Sequence, residues 1–111
     1  MRRVCFQLQV KPGHLDAYRE AHAAVWPDML VALRDTGWHN YSIFLREDGL
    51  VIGYFETEDL DSNLAGMAQT EVNGRWQAAM AEHFVQSELP ADQAFEYIPE
   101  VFNLESQLQK L

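Results

Sequence analysis

Cysteine is almost missing from this chain. Cys5 is the only one in 111 residues, so no disulfide can form within the chain and no thiolate cluster can hold a metal. Positive charge is scarce too: eight basic against seventeen acidic side chains leave a formal charge of −9. Such a surface repels phosphate backbones and anionic lipid, which argues against nucleic-acid binding and membrane docking. No segment approaches the roughly 20 apolar residues of a membrane span. After Met1-Arg2-Arg3 the chain alternates apolar and polar residues and has no continuous apolar run of the kind that directs export. The expectation is a soluble, cytoplasmic protein.

Motifs for several chemistries are missing as well. There is no Gly-x-Ser-x-Gly, no glycine-rich phosphate loop ahead of a helix, and no His-x-x-x-His or Glu-x-x-His pair. His14 and His22 lie eight residues apart, about 12 Å along a helix, too far to share one ion. His14 falls where a helix begins and reads as a solvated or capping residue, while His39 and His83 suit structural or functional roles equally. A metal site is not expected.

What is present is enough for one packed domain: 48% of the residues are hydrophobic. Val4, Phe6, Leu8 and Val10 alternate with polar neighbours, the period-two mark of a strand, which Pro12-Gly13 ends. Helical spacing follows from about residue 14, broken near Trp26 by Pro27. A second helical piece carries Met29, Leu30 and Leu33 and ends near Thr36-Gly37. Strands are predicted at about 38–46 and 50–57, joined by Glu47-Asp48-Gly49 with its hairpin-forming Asp-Gly pair.

Asp59 or Asp61 and then Thr70 can cap two further helices, the second placing Val72, Trp76, Met80 and nearly His83 on one side. A last strand is expected within 97–104, so residues 1–104 form the domain and 105–111 a polar tail. The order β-α-β-β-α-β is the α+β, ferredoxin-like pattern. Both central strands carry apolar residues on both faces, and the helices cover only one. A second copy of the chain is the simplest cover for the other, which predicts a homodimer.

The stretch from Tyr18 to Pro27 is chemically the richest. Tyr18, His22 and Trp26 recur at steps of four, so a continuous helix would align a phenol, an imidazole and an indole. Aromatic residues at this spacing also make ordinary core, and spacing alone favours that reading. The joint pattern says more. Tyr18 and His22 on the first helix, Tyr41 on a strand and Trp76 on the last helix can line one pocket that stacks on a sugar and moves a proton near neutral pH.

Tyr-x-x-x-His-x-x-x-Trp-Pro, His-Asn-Tyr-Ser-Ile, Arg-Trp-x-x-x-Met and a closing Glu-Val-Phe, in this order from Phe6 to about Leu104, resemble the L-rhamnose mutarotase family. The resemblance implies a dimeric α+β barrel of ferredoxin-like domains that interconverts the α and β anomers of L-rhamnose without a cofactor. It makes His22 the proton donor and puts Tyr18, Tyr41 and Trp76 at the sugar. Many members have a second tryptophan where this chain has Gln77, exchanging a stacking wall for an amide that can hydrogen-bond a hydroxyl. Gln77 is therefore a candidate substrate contact, and the expected substrate is L-rhamnose or a close 6-deoxy sugar. Two other readings share the architecture: a cofactor-free monooxygenase or haem-handling protein, by analogy of fold alone, and a non-catalytic sugar-binding module.

Overall fold

The computed structural model describes residues 1–85 and 94–111. Four antiparallel strands, β1 (Arg2–Gln9), β2 (His39–Leu45), β3 (Leu50–Thr57) and β4 (Glu96–Tyr97), form one sheet in the order β2-β3-β1-β4. With helices between β1 and β2 and after β3, this is the ferredoxin-like arrangement. β1 and β3 run side by side along their whole length, from Arg2 opposite Thr57 to Gln9 opposite Leu50. The strand expected within 97–104 instead starts at Glu96 and pairs only two residues, and Pro99, which has no N–H to give, follows soon after.

Pro27 does break the first helical region. α1 (Leu15–Ala23) stops before it, and α2 (Pro27–Asp35) begins on it, where its missing N–H costs nothing. α2 ends at Asp35, and Gly37 just beyond its cap, with φ +97°, turns the chain into β2. Asp59 caps α3 (Leu60–Ala68) by accepting from Ser62 N–H, and Thr70 caps α4 (Glu71–Met80) by accepting from Asn73 N–H. A short 3-10 turn, Ala81–His83, continues α4. In the stretch read as a tail from residue 105, Leu104–Leu108 forms a short helix, α5, capped by Asn103. Arg3 ties this end down through Glu100 (2.7 Å) and Ser106 (3.2 Å).

The core lies on one face of the sheet. Val4, Phe6 and Phe55 from the strands pack with Met29 of α2, Leu60 and Met67 of α3, and Val72, Trp76 and Met80 of α4. Gly53 is needed here because a Cβ at that position would overlap the Phe6 ring. Phe6 in turn stacks on Phe95 at 3.8 Å, drawing the last strand against β1. Among the described residues no layer of helices covers the opposite face: Phe44 of β2 is 61% exposed, and Cys5 of β1, across β3 from it, is half-buried.

Candidate active site

Between the covered face of the sheet and the helices lies a cavity of about 400 Å³, within the range of roughly 300–1,000 Å³ that suits small ligands. Tyr18, His22, Tyr41, Trp76 and Gln77 all line it, contributed by α1, β2 and α4. The rest of the lining is mostly apolar, with Met29 and Leu33 of α2 facing Leu8 and Ile43 of the sheet.

α1 sets the geometry of its two polar residues. Four residues apart, Tyr18 and His22 stack with ring centroids 4.1 Å apart. His22 Nδ1 lies 2.9 Å from the Tyr18 carbonyl oxygen. A carbonyl only accepts, so Nδ1 carries the hydrogen and Nε2 is left with the lone pair. Burial is the main influence on this imidazole and pushes its pKa down. The hydrogen bond to the Tyr18 carbonyl pushes the other way, and nearby His83 adds a smaller lowering. His22 is therefore neutral at pH 7 and has a free basic nitrogen. The Tyr18 hydroxyl is buried, which raises its pKa strongly. It stays a phenol and acts as a donor.

Tyr41 reaches the cavity from β2, where ordinary two-residue alternation puts it on the same face as Ile43 and Leu45. His39 pairs with Glu56 and Ser42 with Tyr54, so Asn40 and Tyr41 together face Phe55 alone, and Asn40 is the extra residue of a one-residue bulge. Asn40 absorbs the bulge with φ +48°, the region asparagine tolerates better than most residues. The Tyr41 ring then packs 5.0 Å from Trp38 and 5.6 Å from Phe55. Trp76 stands edge-on to His22 at 5.4 Å and closes the α4 side.

Several sequence expectations change. Trp26 leaves the α1 stripe, because the helix ends at Ala23. It caps the start of α2 and packs edge-on against Trp76 at 5.1 Å, behind the cavity wall. His14 does hold the N-cap position of α1, where its carbonyl accepts from Tyr18 N–H, but its side chain does not cap the helix: its Nδ1 lies 3.2 Å from Nδ1 of His83, which is buried behind Tyr18. His39 is exposed. No group of three or more His, Cys, Asp or Glu able to hold a metal occurs among the described residues.

Sequence reading also passed over two lining residues, Trp38 and Asn73. Asn73 is 5% exposed, and its Oδ1 accepts from Gln77 Nε2 at 3.2 Å. The signal was there, in two amides four residues apart on one helix.

The family model for L-rhamnose mutarotase matches residues 3–104. An L-rhamnose mutarotase from Oceanobacillus iheyensis is 39% identical over 77 residues, covering 68% of this chain and 73% of that protein. One from Bacillus subtilis is 39% identical over 82 residues, covering 73% and 78%. Among solved structures, an L-rhamnose mutarotase from Formosa agariphila superposes with a TM-score of 0.74 at 24% identity, covering 94% of this chain and 99% of that one. A putative antibiotic biosynthesis monooxygenase from Nitrosomonas europaea gives 0.60 at 15% identity over 88% and 94%, a likeness of fold alone. On the match through residues 3–104, the chain belongs to the L-rhamnose mutarotase family.

Proposed function

We propose that this cavity catalyses the reaction for which the family is named, the exchange of the α and β anomers of L-rhamnose, with His22 moving the proton. The observation that carries the reading is the His22 imidazole, kept neutral by burial with Nδ1 tied to the Tyr18 carbonyl. Ring opening removes the proton from the anomeric hydroxyl, breaks the bond between the anomeric carbon and the ring oxygen, and puts a proton on that oxygen. Both oxygens are bonded to the same carbon, so one imidazole facing that carbon can take the first proton and deliver it to the second position. Rotation about the freed carbonyl and reversal of the steps close the other anomer. The charges balance, and the steps consume no hydride and form no covalent intermediate.

The other side chains bind. Tyr18, held as a phenol, donates to a sugar oxygen beside His22, and Tyr41 does so from the sheet. Trp76 offers its indole to the sugar's C–H face, and Gln77 borders the hydroxyls. The apolar wall of Met29 and Leu33 suits the methyl group of a 6-deoxy sugar.

We infer further that the protein works as a homodimer in the cytoplasm. Phe44 on the open sheet face is 61% exposed, and Val101 and Phe102 beyond β4 are 95% and 60% exposed, an apolar surface that a second copy can bury. Saturation-transfer NMR on L-rhamnose with catalytic amounts of protein should show exchange between anomers far above the spontaneous rate. Sugar binding without faster exchange would make the chain a binding module instead.

A further inference from the structure

We propose that Asn73 is a positioning residue that fixes Gln77 as the acceptor for one hydroxyl of the sugar, so that the two amides together set which pyranoses the site takes. The proposal rests on the reading of the cavity as a sugar site. Both side chains line the cavity, one turn apart on α4. Asn73 is held by the start of its helix, where its backbone N–H donates to the Thr70 hydroxyl at 3.3 Å. From there its Oδ1 accepts from Gln77 Nε2 at 3.2 Å.

An amide is planar, so tying down its nitrogen also fixes the direction of its oxygen. That Gln77 Oε1 makes no hydrogen bond to the described residues. That oxygen stays open to the cavity, where water can serve it until a ligand donor takes the water's place. Next to it stands Trp76, whose ring occupies the cavity wall, and across from it lie the apolar side chains of α2. A hydroxyl of the bound ligand is the donor that this oxygen can take from within the cavity. A carbonyl oxygen has no hydrogen to give, so it reads that hydroxyl strictly as a donor and rejects an analogue lacking it. Without Asn73 the glutamine side chain regains its rotamer freedom, and the same contact must then be formed at an entropic cost.

The test compares kcat and KM of anomer exchange for L-rhamnose and each of its singly deoxygenated derivatives that keep the anomeric hydroxyl. The enzymes are the wild type, Asn73→Ala, Asn73→Asp and Gln77→Ala. In the wild type, removing one particular hydroxyl should lower kcat/KM by about tenfold or more, because a site built to bond a hydroxyl discriminates against its absence. Gln77→Ala and Asn73→Ala should each erase that discrimination and raise KM for L-rhamnose, with kcat little changed. Asn73→Asp keeps the acceptor that holds Gln77 and suits the first turn of a helix, so it should restore the discrimination. A loss of folded structure alone would lower all sugars together and leave the ratio intact. Should Asn73→Ala not fold, Asn73→Ser, too short to reach Gln77, replaces it.

A wild type that ignores every deoxygenation, or a discrimination that survives in Asn73→Ala, overturns the proposal and leaves the mutarotase reading standing. A wild type that exchanges no pyranose overturns both.

Discussion

The two faces of the sheet use the same strands for different ends. Along β3, Val51, Gly53, Phe55 and Thr57 are buried, and Leu50, Ile52, Tyr54 and Glu56 between them are half-buried. The first set meets helices from the same chain, and the space left between sheet and helices is the cavity. The second set, with Cys5 and Phe44, forms an apolar centre edged by polar pairs. The Tyr54 hydroxyl donates to Glu56 at 2.8 Å, Gln7 donates to Glu96 at 2.6 Å, and Arg3 pairs with Glu100. An apolar centre with a polar rim is the composition of a protein interface. One face is thus finished by its own chain and holds the cavity, and the other is the surface on which the proposed dimer would form.

The largest expected effect is on the covered face. His22→Gln retains some hydrogen bonding but cannot carry the proton, so exchange should fall roughly 100- to 10,000-fold, the usual worth of a positioned acid or base. Sugar affinity should fall much less, because Tyr18, Tyr41 and Trp76 remain. Saturation-transfer rates beside a binding isotherm measure the two separately. Near-normal exchange in a folded variant would move the proton-transfer role to another residue, with Tyr18 next.

Packing should separate the faces next. Gly53→Ala pushes a methyl into the Phe6 ring and should cost about 1–3 kcal/mol in denaturant unfolding, the range for overpacked cores. Ile52→Ala, one residue away on the open face, should cost the isolated chain less. Equal costs would mean that the covered face is not the better packed one.

The proposed association is the corresponding test of the open face. Phe44→Glu places a charge amid that apolar surface and should shift light scattering toward the 12.8 kDa monomer while leaving the helices folded by circular dichroism. An unchanged mass would remove this face from the interface.

The smallest effect is in pH. Burial lowers the pKa of His22 in the folded chain, so the unfolded chain binds the proton first as pH falls. The histidine's contribution is complete above its unfolded value of about 6.5 and is lost as pH drops through the folded one. Exchange should accordingly persist somewhat below pH 6.5, and His22→Gln should flatten the stability slope in that window. A rate that falls away above pH 6.5 would contradict a buried, neutral His22.

Much of this fold is legible in short windows of sequence. Pro27 breaks a helix, Asp59 and Thr70 cap two more, and Asp48-Gly49 turns a hairpin, each through contacts within a few residues. Tyr18 and His22 are likewise set by a single helical turn, so their stacking follows from spacing. Tyr41 is legible too, since alternation with Ile43 and Leu45 sets its face, while the bulge at Asn40 beside it depends on how β2 registers against β3.

The sequence by itself determined the order of elements, the apolar faces and the family to which the residue pattern belongs, because these rest on periodicity and on local backbone preferences. The tertiary structure decided the rest. It joined His14 to His83 across 69 positions, moved Trp26 behind the wall, and put the Asn73–Gln77 pair into the same cavity as His22. Such contacts depend on how helices dock on a sheet, and docking is set by side-chain volumes far apart in the chain, which no local window contains.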